Sequence, residues 1–438
     1  MTSKSDVVFR RLLANSLVTS VTSTFLWFAL TFWVYLETRS VVSTGVIGGA
    51  YGLASAAFGP AFGTYVDHHR KKAAMVLATS VSTACFTLAA VLFLAVDSES
   101  LLRLRGPWFW LLVAASLLGS VAGQMRSIAL STCVTLLVPE DRRDKANGLV
   151  GTITGVSFAI TSVFSGLVIG QLGMGWALYI SVALTLGALI HLRGIVIDEP
   201  EPASDAANKA PRVDIRGALD AIHAVPGLSM LIALAAFNNL LAGVFMALMD
   251  AYGLSLVSVE TWGLLWGAIS LSFIAGGLAV ARFGLGAAPL RLILLGNVVN
   301  WTVCAVFALQ SSIVPLVVGM AIWLGLIPVI EAAEQTVLQR AIPYERQGRV
   351  FGFAQLVENA AAPVTAFMIG PIAETFFMPF MTDGRGADAI GGWFGIGPER
   401  GIALMFTIAG LVGIAVTLAA SASRSYRRLS AAGTPAAS

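Results

Sequence analysis

Charge is what this chain lacks most. Only 12% of its 438 residues are Asp, Glu, Lys or Arg, against roughly 25% in an ordinary soluble domain. With 57% hydrophobic residues and a mean hydropathy of +0.82, a water-soluble fold of this length has too few charges to cover its surface. Cysteine is scarce too. Cys85, Cys133 and Cys304 lie far apart in apolar runs, which argues against a disulfide or thiolate-metal framework and reads them as small core residues. The four histidines form no metal-spaced cluster: His68 and His69 share one loop, and His191 and His223 stand elsewhere. A P-loop glycine motif is also missing. These absences argue against a membrane enzyme, a metal or organic cofactor, ATP-driven transport and a nucleic-acid partner. They leave no sizeable soluble domain for a scaffold or sensor.

What is present is a series of apolar runs, each long enough to cross a ~30 Å hydrocarbon core as a helix. About twelve are predicted, over 11–37, 42–66, 73–96, 108–138, 145–171, 174–195, 226–252, 259–281, 289–310, 313–341, 348–373 and 399–421. The expected fold class is therefore an all-α polytopic membrane protein. The short basic N-terminus leads into a first run too long for a cleaved signal. With that terminus placed in the cytoplasm, inner segments hold 21 of the 27 Lys and Arg residues and outer loops hold five, Arg39, Arg103, Arg105, Arg385 and Arg400. Arg126 remains inside a span. The positive-inside rule then puts both termini at the cytoplasmic face of the inner (plasma) membrane.

The chain divides into bundles over 1–197 and 226–438, joined by a polar connection over 198–225. The first part of that connection, from Asp198-Glu199-Pro200 onward, reads as a flexible linker. Its second part spaces Ile215, Leu219 and Ile222 as a short amphipathic helix at the membrane surface. The other long loop, Glu374–Arg400, is glycine-rich and expected to be solvated, with a lid as the alternative reading.

Landmarks recur between the halves. Gly63…Asp67-His68-His69-Arg70-Lys71-Lys72 follows the second span, and Gly277…Ala281-Arg282-Phe283-Gly284 follows the eighth. Pro139-Glu140-Asp141-Arg142 follows the fourth span, and Pro343-Tyr344-Glu345-Arg346-Gln347-Gly348 follows the tenth. Both offsets are a little over 200 residues, close to half the chain, the pattern of a duplicated six-helix unit.

Gly63, Asp67, His68, Lys71 and Lys72 match the loop signature G-x-x-x-D-R-x-G-R-K, and on them the chain resembles the major facilitator superfamily. The Pro343–Gly352 stretch, with Gln335 and Gln339 before it, resembles the branch of enterobactin exporters and macrolide or multidrug efflux proteins. The resemblance implies two six-helix bundles related by a pseudo-two-fold axis, and alternating access around a central cavity lined by helices 1, 4, 7 and 10. It also implies a gating loop at Gly63, Asp67, His68, Arg70, Lys71 and Lys72, with Arg282 as its counterpart. There Asp67 meets the positive start of the eleventh helix, near Gly348–Gly352. This sequence departs from the signature at His68, Arg70 and Ala281, and its fifth span lacks the Gly-Pro antiporter motif, offering only Gly151 and Gly155 for close packing.

Four ionisable groups lie deep inside spans: Arg126, Glu331, Glu334 and Glu358. At roughly 2.5–3.5 kcal/mol each on insertion scales, they are expected to face one another or a hydrated cavity. Glu331 and Glu334 share a helical face with Gln335 beside them. Two carboxylates in a partly dehydrated site repel, so one is expected to keep a proton and couple its release to a change of state. The resemblance sets Arg126 opposite Glu331 and Glu334, either as part of that coupling or as a static ion pair. The rest of the cavity is expected to be apolar and aromatic, with Trp27 and Phe28 touching substrate. Asn238 and Asn239 offer hydrogen bonds, one of them packing between helices, and Asp250 reads as interfacial. The sequence thus predicts a non-enzymatic secondary transporter, a monomer whose partners are a small molecule, protons and membrane lipid. Proton-coupled export of lipophilic or cationic compounds (drugs, siderophores or related natural products) leads, and the alternative is a facilitator or importer of a nutrient or lipid.

Overall fold

The computed structural model describes residues 4–38, 41–103, 106–199 and 213–432. Arg39, Arg105, Lys209, Arg212 and the rest of linker residues 200–212 lie outside the described residues. Twelve long helices follow the predicted spans: α1 Lys4–Thr38, α2 Val41–His68, α3 Lys71–Ala95, α4 Pro107–Leu137, α5 Arg143–Gln171, α6 Met174–Arg193, α7 Leu228–Leu256, α8 Val259–Phe283, α9 Pro289–Val306, α10 Ile313–Ala341, α11 Gln347–Ile372 and α12 Pro398–Ala422. Among the described residues, 11 helices are long and apolar enough to cross a membrane. The remaining long helix, α2, has the length of a span as well.

Local sequence sets the helix ends. Proline opens α4, α9 and α12, where its missing N–H would be unpaired anyway. The Ser258 hydroxyl caps α8 by accepting from the Thr261 N–H. The repeated proline landmarks fold alike: Pro139 leads a single 3-10 turn, Glu140–Arg142, into α5, and Pro343 leads Tyr344–Arg346 into α11.

The chain forms two compact units. One comprises Met1–Ala221 with Ile342–Leu356, and the other Ile222–Ala341 with Val357–Ser438. The division follows the halves expected from sequence except that residues 342–356 pack with the first unit, so α11 begins in one unit and continues in the other. Within the first unit α3 packs on α4 and α6, α1 on α6, and α2 on α4. The second unit repeats the pattern, with α9 on α10 and α12, α7 on α12, and α8 on α10. Its core stacks Phe245 on Phe406 at 4.9 Å between ring centroids, with Trp301 and Phe307 beside them. In the first unit Phe25, Leu26, Trp33, Phe86, Phe109 and Met174 share a core. Close approach supplies much of the helix–helix adhesion in lipid, where there is no water to expel. A Cβ on Gly119 would collide with the Phe86 ring, and one on Gly276 with the Gly325 carbonyl.

Arg400, assigned by sequence to an outer loop, is 1% exposed. Its Nε donates to Phe394 O at 2.6 Å, Nη1 to the Tyr252 hydroxyl at 3.1 Å and Ser311 Oγ at 3.2 Å, and Nη2 to Leu309 O at 2.8 Å. The guanidinium also lies over the Phe394 ring. It thus ties the short loop helix Arg385–Phe394 to α7 and the end of α9. Arg400→Ala removes four charge-assisted bonds and strands their acceptors, at a cost of about 3–5 kcal/mol. The expected result is a clearly lowered unfolding midpoint of the purified protein, with Arg400→Lys recovering only part of it.

Candidate transport site

Three groups of polar residues stand out. The first lies at the basic end of the first unit. Asp67, the penultimate residue of α2, presents a carboxylate whose side chain is 1% exposed. It accepts from the backbone N–H of Gly348 at 2.6 Å and of Arg349 at 2.9 Å, and from Arg349 Nε at 2.9 Å. The orphan N–H groups and positive end of α11 are thereby satisfied by one buried acid. Glycines allow the contact: a Cβ on Gly63 would collide with Gly348 O, and one on Gly352 with Gly59 O. Both pairs are spaced four apart, so each helix presents a smooth glycine face.

Two partners here were not read from the sequence. Arg349 also donates through Nη1 to Asp214 at 2.5 Å, and Asp214 Oδ1 accepts from Gly217 N–H at 2.7 Å at the start of the linker helix Ile215–Ala224. Glu199 accepts from the backbone N–H groups of Lys71 and Lys72 and so caps α3. An acid two or three residues ahead of a helix is a capping signal, but Glu199 acts on a helix 128 residues away, beyond any local pattern. The basic run is pinned down as well. Lys71 Nζ donates to Val66 O at 2.7 Å and lies over the Tyr344 ring, and Lys72 Nζ donates to Arg193 O. His68 Nδ1 bonds Thr64 O, and Arg70 is the residue preceding α3. At the second-unit landmark Arg282 lies over its neighbour Phe283, and Ala281 offers no carboxylate.

The second group is carboxylic. On α10, Gly325 sits against α8, Pro328 interrupts the backbone ladder one turn later, and Glu331 and Glu334 follow. Glu331 is nine residues from the exposed Ile322, about 180° around the helix, so it points away from the apolar outer stripe. Glu331 itself is exposed. The Glu334 and Glu358 carboxyls hydrogen-bond each other across α10 and α11, and Glu331 lies close enough to repel both. Among the described residues of this unit, no cation acts on the three. Gln335 Oε1 and one oxygen of Glu334 are buried without a protein partner.

The third is a cavity of about 210 Å³ inside the first unit. Its wall is mostly hydroxyl-bearing: Ser16, Thr19, Ser20, Ser23 and Thr24 from α1, Tyr51 from α2, Ser120 and Ser127 from α4, and Thr154 and Ser157 from α5, with Arg126 among them. Leu130, Val150, Ile153 and Phe158 complete the wall, so this chamber mixes hydroxyl with apolar and aromatic groups. Trp27 packs against Tyr51, and Phe28 against Phe158, so both back the wall rather than line it. The α1 positions recur every three or four residues, a polar stripe legible in the sequence but passed over in favour of the aromatics. Arg126, 5% exposed, donates to Thr79 Oγ1 at 3.0 Å, to Ser16 Oγ at 3.3 Å and to Asn15 Oδ1. All three partners are neutral members of the same unit, in place of the ion pair weighed from sequence.

Asn238 and Asn239 do not point to a common ligand. Asn238 Oδ1 accepts from Trp301 Nε1 at 3.1 Å, and Asn239 donates to Ala235 O in its own helix. Asp250 accepts from the indoles of Trp262 and Trp266.

Known proteins share this fold. The sequence profile of the Major Facilitator Superfamily matches residues 12–366. Macrolide efflux protein A of Streptococcus pyogenes is 23% identical over 369 residues, covering 81% of this chain and 87% of that protein. The protein of that name from Enterococcus faecalis is also 23% identical, over 70% of this chain and 94% of its own length. Among solved structures, a bacterial homologue of the iron transporter ferroportin superposes with a TM-score of 0.72 at 15% identity, covering 95% of this chain and all of that one. A human organic anion transporter does so with a TM-score of 0.68 at 12% identity and the same coverage.

Proposed function

This chain belongs to the Major Facilitator Superfamily, and from that premise we propose that it is a proton-coupled exporter of small lipophilic molecules. It works by alternating access in the inner (plasma) membrane, with its basic ends in the cytoplasm. The carboxyl cluster of Glu331, Glu334 and Glu358 carries the proposal. A hydrogen bond between two carboxyl groups contains one proton, and three acids without a counter-cation can give up and regain it as their surroundings open to either side. Asp67, seated on the start of α11, holds the cytoplasmic end shut, and its release accompanies opening there. The macrolide efflux relatives support export and make macrolides the first substrates to try.

The test uses proteoliposomes with an imposed pH gradient and a radiolabelled macrolide, with a fluorescent lipophilic cation in parallel. Accumulation that collapses with the gradient supports the proposal. Accumulation unchanged after the gradient is dissipated overturns the coupling. The hydroxyl-lined cavity favours one second reading, a facilitator or importer of a polar nutrient, which predicts gradient-independent counterflow of that nutrient.

A further inference from the structure

Arg126 is a permanently charged group in the interior of a membrane-spanning unit, and none of the groups that hold it is an acid. Guanidinium has five N–H donors. Its three hydrogen bonds go to Thr79, Ser16 and Asn15, and Nε has no partner in the protein. Its holders are themselves fixed. Asn15 Nδ2 donates to Ala188 O at 2.8 Å and lies 3.0 Å from His191 Nδ1, and Thr79 Oγ1 donates to Met75 O at 2.8 Å. The guanidinium is therefore oriented rather than floppy. Neutral dipoles compensate a buried charge only in part, and an uncompensated one is costly in a low-dielectric interior.

The 210 Å³ cavity adjoins this group. Ser157 lines it as well, and its Oγ is likewise buried without a partner. Two residues that each hold an orphan polar atom, one cationic and one a hydroxyl, thus line one hydroxyl-rich chamber. Among the described residues, no acidic side chain lines the cavity.

We propose that this chamber binds the carboxylate of a small organic anion, with Arg126 as its counter-charge and Ser157 as a hydroxyl donor. A carboxylate accepts from both groups at once and supplies the missing negative charge, while the remaining hydroxyls accommodate polar substituents. The inference goes beyond the export reading by assigning the first unit a site for a further ligand class, small organic acids. It concerns binding, so it stands or falls independently of proton coupling.

The experiment measures the thermal unfolding midpoint of the full chain in phosphatidylcholine nanodiscs at neutral pH, titrated with benzoate, its neutral isostere benzamide, and chloride. A ligand of the folded state raises the midpoint saturably. Benzoate is expected to do so and benzamide is not. Arg126→Gln is expected to weaken benzoate at least tenfold, Ser157→Ala by several-fold, and Arg126→Lys to retain part of the response. Equal shifts with benzoate and benzamide overturn the proposal, as does no saturable shift with benzoate. A chloride response that matches and competes with that of benzoate assigns the site to an inorganic ion and also overturns it. The wild-type comparison needs no variant to fold. Loss of the benzoate response with gradient-driven export intact removes the anion site alone, and the converse removes the coupling alone.

Discussion

Glu334→Gln/Glu358→Gln is expected to abolish uphill transport while leaving downhill exchange in place. Glutamine keeps the size and hydrogen-bonding capacity of each side chain but has no proton to release. For a neutral substrate exchanged against one proton, one pH unit is worth about 1.4 kcal/mol and 100 mV about 2.3 kcal/mol. Together they support an accumulation ratio of about 500, at roughly tenfold per 1.4 kcal/mol. The double variant should bring that ratio in proteoliposomes down to about one, with counterflow in the absence of a gradient retained. Glu331→Gln should be milder, since Glu331 acts on the pair electrostatically without a hydrogen bond to either member. Wild-type accumulation by the double variant would place the proton elsewhere.

The second large effect concerns the seat of Asp67. Asparagine offers one carbonyl oxygen where the carboxylate offers two, and turns an NH2 group toward N–H donors that need an acceptor. Asp67→Asn therefore loses charge-assisted bonds from Gly348, Arg349 N–H and Arg349 Nε, worth about 3 kcal/mol together. That corresponds to roughly a 150-fold shift in the ratio of seated to released states. Amide hydrogen exchange reads it directly. Exchange over residues 348–352 is expected to quicken by about two orders of magnitude, with α9 and α12 unchanged. Gly63→Val tests the same seat without touching charge, because its Cβ would collide with Gly348 O. Protection at residues 348–352 in both variants equal to wild type would show that Asp67 does not hold the start of α11.

The span boundaries were legible because they are local. A run of apolar residues has to form its own backbone hydrogen bonds in lipid, so helix ends fall within a few residues of where hydropathy changes. The proline landmarks were legible for the same reason, since Pro139 and Pro343 each stop one helix and lead a tight turn into the next. Asp67, too, could be matched with α11, but through the family resemblance that its loop signature carries rather than through any local pattern. The acids Glu331, Glu334 and Glu358 announced themselves by cost, as charges where hydrocarbon is expected.

Their pairings were a different matter. Glu331 and Glu334 share a helical turn, yet the carboxyl that bonds Glu334 comes from Glu358 on another helix. Arg126 has only neutral partners, drawn from α1 and α3, and the chamber beside it is lined largely by serine and threonine. Asp214 and Glu199 sit in a connection read as linker, but they cap helices and bind Arg349. Sequence by itself determined which segments cross the membrane and which residues are too costly to lie idle there. Tertiary structure alone decided which of them meet, because contact between side chains depends on how each helix is rotated and packed, and no residue pattern within one helix records its neighbours.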